Sequence, residues 1–393
     1  MNGFMKRCLL PAVFALAQAA VAAAQVAPEI QLSARGVVSA NYDVRSAGDE
    51  EAVADFSDSS LLLGFRQKLY SDYRSRFVTG FQFPDAGSSL GQVYFNHVFM
   101  QVENRANIFR LGRTRLGSTL LEFSTLRDDD ALDLTDVLNP FSDGRDTEDT
   151  QFGNLVQYTH IFANRFRLAL HGENLAESGL EDPAVGLNSG GATFQYRVPD
   201  TQLWNRPHLM QVGVSWLARF LDQDDFGGNR DEVLNSFIAS TVINLRPDPV
   251  SFWDFRVQVI FTDGLEGMDV LDGYRDVATA RSYAVFGTLR FLRRRLERPS
   301  AQFSLSGGYK VFPDLVRDTN QWQIVGNALT RLGEDFDLVA QVQYRHQTGD
   351  LVELYSRDEV RFQVGFVYSL TQVWNEFFDD RDSLLNLEHN YIP

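Results

Sequence analysis

The sequence predicts an all-β fold, an antiparallel transmembrane β-barrel of about 16 strands whose third external loop folds inward. Three observations predict it. Many short segments alternate between apolar and polar residues, and the connections between them are alternately short and long. One long connection, residues 116–151, is partly apolar and partly acidic. Strands of membrane barrels run for about ten residues and alternate in this way between lipid and lumen.

The alternation is clearest in Phe336–Arg345, where Phe336, Leu338, Ala340, Val342 and Tyr344 share one face. Polar residues, including Gln341 and Gln343, occupy the other face. About sixteen such runs can be counted along the chain. They lie near residues 30–43, 58–70, 74–83, 92–103, 106–115, 152–162, 165–174, 189–198, 209–221, 233–245, 252–263, 280–292, 300–311, 320–332, 336–347 and 359–370.

The connections support a barrel because their lengths alternate. Short turns occur at Tyr70–Arg74, Asn104–Arg105, Ala163–Asn164 and Gly333–Asp335. Longer polar loops occur at Arg45–Ser57, Leu116–Gln151, Ala176–Asn188, Asp222–Glu232, Gly264–Thr279 and Thr348–Asp358. Membrane barrels have short periplasmic turns and long external loops, whereas a β-sandwich gives no reason for this parity. Pro199–His208 is an exception, because it is long for a turn.

The long connection at about 116–151 is the third external loop in this count, and it is too long for an ordinary hairpin. Its leucines and Phe123 need a surface to pack against, so we expect the loop to fold inside the barrel and constrict it. Its candidate functional residues are acidic: Asp128, Asp129, Asp130, Asp133 and Asp136.

Two motifs around this loop resemble those of bacterial outer-membrane porins. Phe109-Arg-Leu-Gly-Arg113 is similar to a porin strand that ends in Tyr-Gly-Arg, and Leu134–Gly144 is similar to a Thr-Asp-Leu-Pro-Glu-Phe-Gly-Gly turn that narrows the pore. Leu111 replaces the aromatic residue, and Asn139-Pro140 replaces Pro-Glu. The subfamily is not identified.

The resemblance implies an outer-membrane channel of a Gram-negative bacterium. We expect passive diffusion of small hydrophilic solutes, a homotrimer, and contact with membrane lipid and lipopolysaccharide. A substrate-selective channel of the same fold, for anions or sugars, is the alternative. A barrel that is a scaffold for a periplasmic or extracellular partner is an alternative of another class.

The two ends of the chain are predicted to lie outside the barrel, which spans 25–370. Residues 1–24 read as a secretory signal, with Lys6 and Arg7 before an apolar, alanine-rich run. Cys8, the single cysteine, lies in that segment, so no disulfide is predicted. Residues 371–393 lose the period of two and are predicted to form an amphipathic periplasmic tail.

Composition excludes several classes of function. The formal net charge of -16 argues against a nucleic-acid partner. The histidines are scattered, and we find no metal-ligand spacing and no catalytic triad, so we predict no metal site, no cofactor and no enzymatic activity.

Basic residues on the polar faces of the predicted strands are the other candidate site residues. The set consists of Arg35, Arg66, Lys68, Arg110, Arg167 and Arg256. Arginines on one wall and aspartates on the facing loop would create a transverse field, and rings of charge set selectivity in pores. Two runs, Gln92–Glu103 and Leu234–Leu245, alternate poorly. Irregular strands would explain this pattern. Alternatively, the first run, with His97 and Gln101 among the candidates for its outer face, faces a protein neighbour rather than lipid.

Overall fold

The computed structural model describes residues 28–45, 50–55, 59–69, 72–82, 94–115, 152–173, 187, 189–198, 201–203, 206–221, 232–263, 281–295, 298–313, 318–333, 335–349 and 357–374. Its eighteen strand segments are β1 (Glu29–Arg45), β2 (Glu50–Asp55), β3 (Ser60–Lys68), β4 (Arg74–Gln82), β5 (Tyr94–Glu103), β6 (Asn107–Arg115), β7 (Phe152–Phe162), β8 (Phe166–Glu173), β9 (Ser189–Arg197), β10 (Thr201–Leu203), β11 (Arg206–Leu221), β12 (Glu232–Leu245), β13 (Ser251–Thr262), β14 (Ser282–Arg295), β15 (Arg298–Phe312), β16 (Thr319–Arg331), β17 (Phe336–Gln347) and β18 (Asp358–Trp374).

These segments form a closed antiparallel barrel of 16 strands, which confirms the predicted fold class. The count falls from eighteen to sixteen because two strands are interrupted. β2 and β3 pair with different halves of β1, and β9 and β10 pair with different parts of β11. The barrel closes where β1 pairs with β18 along its length, from Ile30 opposite Trp374 to Arg45 opposite Glu359.

The pairing register fixes the dimensions of the barrel. When residue pairs are followed once around the sheet from β1, the path returns to β1 about 20 residues from its start. That stagger over 16 strands corresponds to a strand tilt of about 40° and a backbone diameter of roughly 30 Å. A barrel of this width encloses a lumen that is too wide for the inward side chains of its wall to fill.

The two faces of the wall differ in polarity. On β13, Trp253, Phe255 and Val259 point outward and are exposed, whereas Asp254 and Arg256 point inward and are buried. Outward aromatic rings form two rows on neighbouring strands: Trp253 contacts Phe291, and eight residues along each strand Phe261 contacts Tyr283. Eight residues at this tilt separate the rows by about 20 Å, close to the height of the apolar band of a membrane barrel.

The predicted strands match the observed ones within a few residues, with two informative differences. Pro199–His208 is not one long turn. β10 pairs with the first residues of β11, and only two residues separate these two strands. β18 runs through Trp374, so the first residues of the predicted tail pair with β1. Residues 375–393 and the predicted leader 1–24 lie outside the described residues. In the part of the chain that is described, no helix is long and apolar enough to cross a membrane.

Candidate functional site

The inner wall of the barrel is the candidate site because it collects the polar and charged side chains of the described strands. All six basic residues singled out in the sequence lie on inward rows. Arg66, Arg110, Arg167 and Arg256 are buried, Arg35 is partly exposed, and Lys68 is exposed at the end of β3. Their register brings several of them onto neighbouring strands, although they are far apart in sequence. The five aspartates at 128, 129, 130, 133 and 136 lie outside the described residues.

Two of the predicted arginines are neutralised by carboxylates that the sequence analysis did not single out. Arg66 Nη2 lies 2.8 Å from Oε1 of Glu29, and both side chains are buried. Asp254 Oδ2 accepts hydrogen bonds from Arg256 Nε at 2.9 Å and from Arg290 Nη2 at 2.6 Å. Each of these ion pairs joins neighbouring strands or adjacent inward positions, so charge is partly balanced within the wall itself.

A second charged cluster lies near the external end of β1, β17 and β18. Arg361 forms a two-point contact with Asp43, from Nε to Oδ1 at 2.9 Å and from Nη2 to Oδ2 at 3.1 Å. Glu359 contacts Arg345 and Arg45. Paired guanidinium and carboxylate groups with this geometry hold the strands in register where the barrel closes.

An aromatic ring lies between two arginines on the inner face of β4–β6. We refer to these three residues, Arg76, Phe99 and Arg110, as the basic wall. Phe99 of β5 is inward and buried, with the guanidinium carbons of Arg110 and Arg76 at 5.3 Å and 5.8 Å from its ring centre. Gln101 Oε1 accepts hydrogen bonds from Arg110 Nε at 2.9 Å and from Arg76 Nη2 at 3.2 Å. Stacking on an aromatic face stabilises a guanidinium without neutralising it.

The placement of β5 corrects one expectation. His97 and Gln101 were candidates for the outer face, but both are inward and buried, and His97 Nδ1 lies 3.1 Å from Oγ1 of Thr114. The reason is the sequence Val98-Phe99-Met100, which is apolar on both faces and hides the period of two. The side chains of this strand that do point outward include Val98 and Met100.

Arg110 differs from the paired arginines in its surroundings. Within the described part of the chain it has no carboxylate at ion-pair distance; its partners are the amide of Gln101 and the ring of Phe99.

Basic side chains outnumber acidic ones on the described inward rows. The basic ones include Arg35, Arg45, Arg66, Lys68, Arg74, Arg76, Arg110, Arg167, Arg197, Arg256, Arg290, Lys310, Arg345 and Arg361, and the acidic ones Glu29, Asp43, Glu103, Glu173, Asp254, Asp337 and Glu359.

An apolar patch interrupts the polar inner wall on β11–β14. It consists of Leu217, Ile238, Ile260 and Phe286, and each of these inward side chains is almost fully buried. The patch begins five strands and ends eight strands from β5, so its centre lies roughly 150° around a barrel of sixteen strands. The basic wall and the apolar patch therefore lie on opposite sides of the lumen, and the strand tilt places the patch about 12 Å nearer the external end. Ile238 also explains why Leu234–Leu245 alternates poorly.

The histidines of the described strands have partners of several kinds. His171 Nδ1 lies 2.8 Å from Oε1 of Glu173, inside the wall, and His346 Nδ1 lies 2.7 Å from Oδ1 of Asp358, on the outer face. His160 is outward and contacts Asn107. Among the residues that the structure describes, no group of three or more His, Cys, Asp or Glu side chains could hold a metal ion.

No family model and no curated protein matches the chain. Among solved structures, it is similar to the outer membrane channel DcaP of Acinetobacter baumannii, with 12% identity, a TM-score of 0.62, and coverage of 88% of this chain and 99% of that one. It is also similar to an anion-selective porin from Comamonas acidovorans, at 11% identity and a TM-score of 0.57, covering 87% and 99%. The outer membrane protein OmpT of Vibrio cholerae, in its trimer form, has 10% identity and a TM-score of 0.54, covering 88% and 100%. At these identities the likeness shows the fold, and the predicted resemblance to outer-membrane porins is confirmed at that level.

Proposed function

We propose that the chain forms a passive diffusion pore for small hydrophilic solutes in the outer membrane of a Gram-negative bacterium. The observation that carries the proposal is the inverted polarity of the closed barrel. Its outer face is apolar between two aromatic rows, and its inner face carries buried ion pairs and amides. A barrel satisfies all backbone hydrogen bonds between strands, so it can lie in lipid while its lumen stays polar.

We further propose that residues 116–151 narrow this pore. The apolar patch on β11–β14 is a surface that the leucines of this segment could cover, and it lies on the opposite side of the lumen from the Arg76–Phe99–Arg110 wall, nearer the external end. Aspartates 128, 129, 130, 133 and 136, held on that side, would stand opposite the guanidinium groups. Charges of opposite sign across a constriction order water and favour polar solutes. Arg35, Arg66, Lys68, Arg110, Arg167 and Arg256 are the basic lining in this proposal.

Assembly and surroundings belong to the same proposal. One of the similar structures is described as a trimer, and we propose a homotrimer for this chain. The outer aromatic rows would lie at the two membrane interfaces, with lipid on one side and lipopolysaccharide on the other. We propose a channel and not an enzyme, because the similar solved structures include an anion-selective porin and an outer membrane channel.

A preference for anions is the second candidate function, and one observation favours it. Arg110 lacks a carboxylate partner among the described residues, and basic side chains outnumber acidic ones on the inward rows. The acidic loop opposes this effect, so the sign of the selectivity depends on how the two sets of charges balance at the narrowest point.

Reconstitution of the purified chain tests the proposal. In planar bilayers we expect stepwise conductance that persists without a ligand, and in proteoliposomes we expect swelling rates that fall with the size of the added sugar. Reversal potentials in a salt gradient then give the sign of the selectivity. A correctly folded, inserted barrel without conductance would overturn the proposal of a pore. Swelling rates that do not depend on the size of the sugar would overturn the proposal of a constriction.

A further inference from the structure

Amide side chains are concentrated on the inner face of β16–β18. Asn327, Gln341 and Gln363 pair across these three strands, so they form one row at the same level of the sheet. Gln323 and Gln343 lie on the same inner face, on β16 and β17, toward the external end. All five side chains are buried, with exposed fractions of 2–6%. We refer to these five residues as the amide cluster.

The two ends of the row have hydrogen-bond partners, but its centre has none. Asn327 Nδ2 donates to Ser304 Oγ at 3.3 Å, and Gln363 Nε2 donates to Ser39 Oγ at 3.3 Å. Gln341 lies between them, and within the described part of the chain neither its Oε1 nor its Nε2 has a partner. A buried amide without hydrogen bonds destabilises a fold, so these groups need a partner from the lumen.

Unpartnered groups continue toward the external end of the same wall. Both amide atoms of Gln323, Oε1 of Gln343 and Oδ1 of Asn327 have no hydrogen-bond partner among the described residues. With Gln341, the amide cluster therefore contains two buried amide nitrogens and four buried amide oxygens without partners. Each amide lies at the end of a flexible side chain, so a rotation turns it toward the lumen. A ligand that matches the cluster must both donate and accept hydrogen bonds.

The surroundings of the amide cluster favour an uncharged ligand. On the external side the charges are already paired, because Arg361 makes its two-point contact with Asp43 and Glu359 contacts Arg345. On the periplasmic side lies an apolar cluster, which we call the valine cluster. It consists of Val37, Val339 and Val367, with Leu329 packed against them. Ligand sites in proteins combine such an apolar surface with a few placed polar groups.

The amide cluster lies near mid-height of the barrel. On the outside of the same wall, Phe336 contacts Phe366 in the periplasmic aromatic row, and Tyr344 contacts Trp322 in the external row. Gln341 lies between Phe336 and Tyr344 on β17, five residues from the first and three from the second. A solute that crosses the lumen therefore passes the amide cluster about midway.

We propose that the amide cluster is a binding subsite for a neutral sugar inside the pore. The proposal rests on the pore function put forward above and names the class of solute that this wall recognises. A sugar hydroxyl both donates and accepts hydrogen bonds, so adjacent amides satisfy several hydroxyls at once. The C–H faces of a sugar ring are apolar and match the valine cluster. An ether of similar size only accepts hydrogen bonds, so it leaves the amide N–H groups unpaired.

Saturable block of the ion current tests the subsite. Reconstituted channels are titrated with glucose. Tetraethylene glycol dimethyl ether, which has no hydrogen-bond donor, is the control solute at matched bulk conductivity. We expect glucose to reduce the conductance along a saturating curve, whereas the ether changes it only as bulk conductivity does. A glucose curve that coincides with the ether curve would mean that water satisfies the amides, and it would overturn the proposal.

Replacing single amides gives a second readout. Gln341→Leu keeps the approximate volume and removes both hydrogen-bonding atoms, so we expect the apparent affinity for glucose to fall about fivefold, the effect of losing one hydrogen bond. Gln323→Leu should act in the same direction, so the test does not depend on the folding of one variant. Gln157→Leu is the matched control, because it removes a buried inward amide from β7, and it should leave the affinity unchanged. Equal affinities in all three variants would contradict the subsite.

Urea unfolding separates binding from a structural role. Because an unpartnered buried amide disfavours folding, Gln341→Leu should be at least as stable as the parent chain. A variant that loses stability together with affinity would show that the amide holds the wall together, and it would overturn the assignment. Conductance without glucose reports the pore separately. A folded barrel that does not conduct would contradict the pore and the subsite with it, whereas conductance without saturable block would contradict the subsite alone.

Discussion

Replacing Arg110 tests whether an unpaired charge, rather than the number of arginines, controls ion passage. Arg110→Gln removes one positive charge from the inner wall and keeps an amide beside Gln101 and Phe99. We expect the permeability to shift toward cations. For a unit charge about 6 Å from a passing ion in water, with a Debye length of about 8 Å, the interaction is about 0.3 kcal/mol. Loss of the positive charge favours a passing cation and disfavours a passing anion by this amount each. The two effects add, so the ratio of cation to anion permeability should change about threefold.

The assay is the reversal potential of reconstituted channels. A threefold change in the permeability ratio corresponds to a shift of about 20 mV in a tenfold salt gradient. Arg110→Lys keeps the charge and should leave the potential nearly unchanged. The matched control is the double variant Glu29→Gln with Arg66→Gln, which removes another buried inward arginine together with its partner at 2.8 Å, and so leaves the wall's net charge unaltered.

Two results would refute the reasoning. If Arg110→Gln leaves the reversal potential unchanged, the guanidinium does not face the ion path. If the Glu29/Arg66 double variant shifts the potential as far as Arg110→Gln does, then side-chain shape, and not net charge, determines the selectivity. Mobility on gels before and after heating shows whether each variant is folded.

Three further expectations follow. Asparagine at positions 128–130 should shift the pore toward anions, and an unchanged reversal potential would contradict a constriction role for these aspartates. Gly365→Ala should destabilise barrel closure by about 1–3 kcal/mol, because a Cβ there would meet Val38 O at 2.6 Å; Gly326→Ala, with nothing within 4 Å, is the control for urea unfolding. Deleting 375–393 should leave insertion intact but alter conductance, because the last strand is already paired with β1 through Trp374, whereas failed insertion would show that these residues are needed for assembly of the barrel.

The strands and their facing could be predicted from sequence wherever only one face is apolar. β13 is an example, since Trp253, Phe255 and Val259 alternate with Asp254 and Arg256, and the structure places them outward and inward accordingly. The prediction was wrong for His97 and Gln101 because Phe99 makes three consecutive residues apolar. An inward aromatic held between two guanidinium groups is a local arrangement that a period of two does not represent.

The partners of the arginines could not be predicted, because they depend on register. Glu29 and Arg66 are 37 residues apart, and Asp254 and Arg290 are 36 apart. A slip of one residue between β1 and β3 would move Glu29 to the opposite face from Arg66. Sequence alternation assigns each residue to a face of its own strand, but it carries no information about which residue stands opposite on the next strand.

The net charge of the whole chain does not by itself determine the ion selectivity of the pore. The formal net charge of -16 suggests a pore that prefers cations, yet it counts every acidic residue in the chain, wherever it lies. Screening limits the field of a charge to about 8 Å at physiological ionic strength, so only groups that line the lumen act on a passing ion. On the described inward rows basic residues predominate, and several of them, such as Arg66 and Arg256, are already neutralised by a neighbour. The selectivity must therefore come from the few groups without such a neighbour, of which Arg110 is the clearest on the wall, and from whatever acidic residues the loop 116–151 brings opposite to it.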